Sequence, residues 1–204
     1  MARRGLTGIL LVGGAARRFG SPKALARLGD ETLAERAWGV LGEACEERIA
    51  VGKAADELVL PFPLLDDGTE TRAPLAGVVA GLQGASHDLC VVLPVDVPLA
   101  TAALLLELAD ACADAAVTAS GPLPAAFRKQ ALPVLERRLA AGELAVRDAL
   151  AELDVRVIEA DPALLVNVNS AKDLRRLAGD VRATRSARTP PPKGGGDGSP
   201  FPCR

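Results

Sequence analysis

The chain has 204 residues, enough for one α/β domain with apolar packing on both faces of a sheet and too few for two such domains. A formal net charge of −2 gives no general attraction to nucleic acid or to an anionic membrane, so any cation that matters must act locally. Aromatic residues make up 2% of the chain and tyrosine is absent, which argues against base stacking on an aromatic sheet and leaves Leu, Val and Ala to build the core.

Met1-Ala2-Arg3-Arg4 leads directly into a short apolar run at 7–12, so the expectation is a chain without signal peptide or membrane span, in a reducing cytoplasm. That first strand ends in Gly13-Gly14, followed by Arg18 and Lys23 in the pattern G-G-x-x-x-R-x-G-x-x-K. Glycines lack Cβ, so backbone N–H groups there can approach phosphate oxygens closely, and the two cations can neutralise phosphate charge. The spacing fits neither Gly-x-Gly-x-x-Gly nor the Gly-x-x-x-x-Gly-Lys-Ser/Thr loop.

A helix is expected over 31–44, with Leu33, Ala37, Val40 and Leu41 on one face, and strands over 48–51 and 62–65. The latter runs into Asp66-Asp67-Gly68, where Asp67 could accept from the N1–H and N2–H2 edge of guanine or contact a ribose, or could belong to an ordinary Asp-Gly turn. A helix over 74–85 starts with proline, and its positive end at 73–77 suits an anion or a base, while Gly77 equally suits close helix–sheet packing. A buried strand at 89–93 ends in Pro94-Val95-Asp96-Val97-Pro98. Asp96 then stands at the carboxyl edge of a parallel sheet, suited to bridge Mg2+ and a triphosphate, with a helix-approach cap as the plainer reading.

Further on, a helix at 101–113 with Thr101 as N-cap, a strand at 115–120, helices at 129–140 and 143–153 and a strand at 155–158 complete the pattern. The alternation predicts a three-layer α/β/α fold with a mostly parallel central sheet. Asn167 and Asn169 alternate on an extended segment, where they could serve a metal or an acceptor substrate, or Asn169 or Ser170 could only cap the last helix. Arg128, Lys129 and Arg147 are candidate cations for an acceptor phosphate, or solvated surface charges. The folded domain is expected to span 1–183, with a Pro/Gly-rich disordered tail at 184–204. Cys45, Cys90, Cys112 and Cys203 are widely spaced and His87 is the only histidine, which supports neither a zinc site nor a Cys/His nucleophile and favours buried structural thiols.

Taken in order and spacing, these segments resemble the molybdenum cofactor guanylyltransferase family over residues 5–178. The resemblance implies a Rossmann-like nucleotidyltransferase fold. It implies nucleotide binding by Leu11, Val12, Gly13, Gly14, Lys23, Asp67 and Asp96, with Mg2+ on Asp96. Arg18, Lys23 and Asp96 would carry catalysis, and Asn167 and Asn169 would lie on the acceptor side. The implied reaction transfers GMP from GTP to molybdopterin cofactor, with cofactor-delivery and molybdoenzyme proteins as partners and no role for nucleic acid. Four departures stand out: Val12 for alanine, Gly52 for asparagine, Ala73 for glycine and Ser170-Ala171 for Thr-Pro. Gly13-Gly14 and the 94–98 segment favour the guanylyl branch over the cytidylyl one. A nucleotidyltransferase using CTP or a sugar phosphate, and a catalytically silent GTP- or cofactor-binding protein, are the alternatives.

Overall fold

β1 (Arg3–Leu11) sets the plan of the sheet, because its side chains alternate between two buried faces. Leu6 and Leu10 join one apolar cluster, and Ile9 and Leu11 join the other. In the computed structural model, which describes residues 2–13 and 22–188 with side chains through residue 179, this strand lies near the centre of a seven-stranded sheet. β4 (Cys45–Gly52) and β6 (Leu89–Pro94) flank it in parallel, and β5 (Leu64–Asp66) extends the sheet beside β4. Beyond β6 come β8 (Gly121–Arg128), β7 (Ala115–Thr118) and β9 (Val155–Ile158), in the order β5-β4-β1-β6-β8-β7-β9. β8 runs antiparallel to both its neighbours, and the other pairings in this sheet are parallel. β2 (Arg27–Leu28) and β3 (Glu31–Thr32) form a separate hairpin.

Helices cover both faces, as an α/β alternation requires. α1 (Leu33–Ala44), α3 (Ala102–Ala111) and α6 (Ala171–Arg188) pack on the Leu6–Leu10 side, while α2 (Pro74–Gly84), α4 (Leu132–Ala140) and α5 (Val146–Leu150) pack on the Ile9–Leu11 side. α1 begins later than its apolar period suggests, because residues 31–32 pair as β3. Thr32 then closes a reciprocal cap, its Oγ1 accepting from Glu35 N at 3.1 Å and its N–H donating to Glu35 Oε2 at 2.8 Å. Glycines bring α2 close to the sheet: a Cβ on Gly81 would stand 2.5 Å from Ile9 Cγ2, and one on Gly77 2.9 Å from Leu11 Cδ2. The packing reading of Gly77 therefore has a contact behind it.

The sequence reading misses the short β2–β3 hairpin and, within the seven-stranded sheet, β8. Its segment GPLPAAFR contains two prolines and no β-branched residue, so it carries little strand signal. β5 starts later than expected because Phe62 leaves the sheet to stack on Trp38, ring centroids 4.2 Å apart. Residues 129–131 form a 3-10 turn ahead of α4, and α5 is shorter than the expected 143–153. α6 runs through Arg188, past the change in composition at 184, and residues 189–204 lie outside the described residues.

Cys45, Cys90 and Cys112 are free and buried. Burial pushes the Cys45 and Cys90 thiols up to about 12 and that of Cys112 to about 11, so these sulfurs pack rather than react. Cys203 lies outside the described residues. Among the described residues no helix is long and apolar enough to cross a membrane.

Candidate active site

The site forms where the parallel strands end. Hydrogen bonds continue one step past the strand ends, with Asp67 N–H donating to Gly52 O, Val12 N–H to Val51 O and Val95 N–H to Leu11 O, each at 3.0 Å. These bonds fix the backbone on either side of a cavity of about 400 Å³. Of the residues expected to bind a nucleotide or acceptor, Leu11, Gly13, Lys23, Asp67, Asp96 and Asn167 line it.

At one end, three distant segments meet. Lys23 Nζ lies 3.3 Å from Asp96 Oδ2 and 3.1 Å from Asn169 Oδ1. The late segment is tied down by Val168, which is fully buried and whose N–H donates to the Asp96 carbonyl at 2.8 Å. Ser170, not Asn169, supplies the side-chain cap of α6, its Oγ accepting from Asp173 N at 3.2 Å. The Asn169 amide is thereby free to meet Lys23. Asp96 is likewise not a cap, since Thr101 Oγ1 takes that place on α3 by accepting from Leu104 N at 3.3 Å. Its carboxylate is 29% exposed on the cavity wall, where a ligand can reach it.

At the other end stands a cluster with two residues the sequence reading did not single out. Lys53 Nζ lies 2.6 Å from Asp67 Oδ1, and the two side chains are only 10% and 6% exposed. Arg72 forms a two-pronged pair with Asp56, at 2.6 and 3.1 Å, and also lines the cavity. Both cations follow a usable signal: Lys53 comes directly after the carboxyl end of β4, and Arg72 just precedes α2. Ala73 contributes no side-chain cap to α2, and Ala73, Pro74 and Gly77 border the cavity, so the positive end of that helix faces it.

Val12 does not line the cavity. It is buried and packs over Gly52, where a Cβ would stand 2.8 Å from Val12 Cγ2. Two of the departures from the family pattern are thus one local exchange of volume, a larger residue at 12 filling space that a side chain at 52 would need. Gly14 and Arg18 lie outside the described residues. Arg128 and Lys129 need correction as acceptor-side candidates. Because β8 is antiparallel, these residues fall at the far edge of the sheet, where Arg128 pairs with Asp88 at 2.9 Å and Lys129 Nζ donates to the Ala85 carbonyl. The start of β8 faces the cavity instead, through Pro122 and Leu123, and Arg147 is not part of its lining.

A glycine-bearing end of β1, a lysine and a carboxylate gathered over parallel strand ends are the parts of a nucleotidyltransferase. The family model described as MobA-like NTP transferase domain matches residues 8–189. A relative from Chloroflexus aggregans, named as a probable molybdenum cofactor guanylyltransferase, is 33% identical over 83% of this chain and 92% of its own length. The molybdenum cofactor guanylyltransferase of Desulfosudis oleivorans is 27% identical over 88% of this chain and 98% of its own. In fold, the chain is similar to molybdopterin-guanine dinucleotide biosynthesis protein A from Archaeoglobus fulgidus, with a TM-score of 0.75 and 24% identity over 87% of this chain and 99% of that one. The chain belongs to the MobA-like NTP transferases and, within them, to the molybdenum cofactor guanylyltransferases.

Proposed function

We propose that this protein uses GTP as donor and Mg2+ as cofactor, transferring GMP to the terminal phosphate of molybdopterin cofactor. An acceptor phosphate oxygen forms a bond to the α-phosphorus of GTP, the bond from that phosphorus to the bridging oxygen breaks, and pyrophosphate leaves. The observation that carries this reading is the convergence of Lys23, Asp96 and Asn169 at one end of a cavity whose other end holds Asp67.

The residues fit a shared metal site. The part-exposed Asp96 carboxylate borders the cavity, and Mg2+ takes one or two carboxylates with phosphate oxygens and water as its other ligands. Asp96 would hold Mg2+, which would supply positive charge against the reacting phosphate oxygens. Lys23 already points its ammonium at Asp96 and exchanges that contact for the α-phosphate, where it stabilises the charge that builds during transfer. Gly13 and Gly14, with Arg18, hold the β- and γ-phosphates. Asp67 reads the base, and Asn167 and Asn169 face the acceptor. The acceptor is already an anion, so no strong base is required, and His87, on Thr7 at the far edge of the sheet, is not part of the cavity lining. Cofactor-delivery proteins and molybdoenzymes are the partners implied for substrate and product.

Pyrophosphate release tests the reading. The purified protein, Mg2+ and molybdopterin cofactor should release pyrophosphate with GTP and far less with CTP or ATP. Preference for CTP, or GTP binding without release, overturns it.

A further inference from the structure

We propose that Lys53 is a positioning residue that sets base selection by fixing the carboxylate of Asp67, without touching the nucleotide itself. The inference rests on the base-reading role proposed above for Asp67. A lysine ammonium has three protons to donate, and here each has a protein acceptor. They are Asp67 Oδ1 at 2.6 Å, Thr69 Oγ1 at 3.1 Å and the Thr69 carbonyl. No proton is left for a ligand, although Lys53 borders the cavity.

The consequence falls on Asp67. Its Oδ1 also receives Thr69 N–H at 3.1 Å, with the Thr69 hydroxyl proton shared between this oxygen and the Thr71 carbonyl, whereas among the described residues no hydrogen bond reaches Oδ2. One oxygen is locked and the other is left for a ligand. Two charges this buried are costly to desolvate, and the cost is offset only when geometry is good, as it is here. An acceptor-only oxygen held in place favours guanine, which presents two adjacent donors, N1–H and N2–H2, over adenine or cytosine, which each present one amino donor beside an acceptor ring nitrogen whose lone pair faces the carboxylate. A carboxylate free to rotate loses that discrimination.

The experiment compares Lys53→Met with the unaltered protein in steady-state transfer, using GTP and ATP as donors. KM for GTP should rise about tenfold while kcat changes by less than about threefold, and the GTP-to-ATP ratio of kcat/KM should fall about tenfold. A ratio kept within about twofold, or a loss confined to kcat, overturns the proposal. Should Lys53→Met not fold, Thr69→Ala removes one lysine acceptor without stranding a charge. It should also erode the ratio, and an unchanged ratio in that variant is equally fatal. If the unaltered protein prefers another nucleotide, the GTP reading fails by itself. The Lys53 inference then stands if Lys53→Met erodes that other preference, and falls if the preference persists.

Discussion

Asp96 on the cavity wall and the Val12–Gly52 contact behind it lend themselves to direct tests. Asp96 is part exposed and has Lys23 as its ion-pair partner among the described residues, so its replacement leaves the packing intact while removing the carboxylate proposed to hold Mg2+. Asp96→Ala is expected to lower transfer by about 100-fold or more, in the range of lost transition-state charge stabilisation, with a melting temperature within about 2 °C of the parent. Steady-state rates and thermal melts check both halves. The exchange of volume between positions 12 and 52 makes a different demand. Gly52→Asn drives its new Cβ into Val12 Cγ2 and should cost about 1–3 kcal/mol by overpacking, whereas Val12→Ala with Gly52→Asn should recover most of that loss in urea unfolding. Restoration by the second substitution is the expected signature, since residues in contact are not additive.

Among the elements, α2 carries the most consequence for the site, because its first turn borders the cavity while its small residues lie on β1. Gly81→Val cannot be absorbed without moving the helix, as even one Cβ there meets Ile9 at 2.5 Å. The expected cost is on the order of 2 kcal/mol, read as a lower urea midpoint, and KM for nucleotide should rise because Ala73, Pro74 and Gly77 shift with the helix. Much of this level was legible beforehand. The proline at the start of α2, the Thr101 cap and the apolar period of α1 depend on neighbours within a few residues. β8 was not legible, since its prolines and alanines acquire strand structure only by lying between β6 and β7.

Across the whole molecule, the cavity proposed as the active site sits at the carboxyl edge of the sheet, and a separate clamp closes the amino edge. There Glu47 on β4 accepts from Thr7 Oγ1 of β1, and from Ser86 N and Oγ at 2.8 and 2.7 Å, beside His87. Burial pushes its carboxyl up, but the hydrogen bonds from Thr7 and Ser86 and the nearby His87 outweigh this and hold it below the usual value. A carboxyl lowered by folding contributes stability that is complete above its unfolded value, about 4.3 for glutamate, and is lost as pH falls through the lower folded value. The melting temperature of Glu47→Gln should therefore trail the parent at about pH 7, and the gap should close toward about pH 3. KM for nucleotide should stay unchanged, because the clamp and the cavity lie at opposite edges. The sequence by itself determined the class of fold and the carboxylates at strand ends, since each is written in short runs whose spacing and period suffice. Only the tertiary structure decided that Lys23, Asp96 and Asn169 meet across separations of 73 and 146 residues, that Asn169 is free because Ser170 caps α6, and that Lys53 locks Asp67. The direction of β8, which removes Arg128 and Lys129 from the site, was decided there too. Such contacts join segments far apart in the chain, and no local pattern records which of them the packed sheet will bring together.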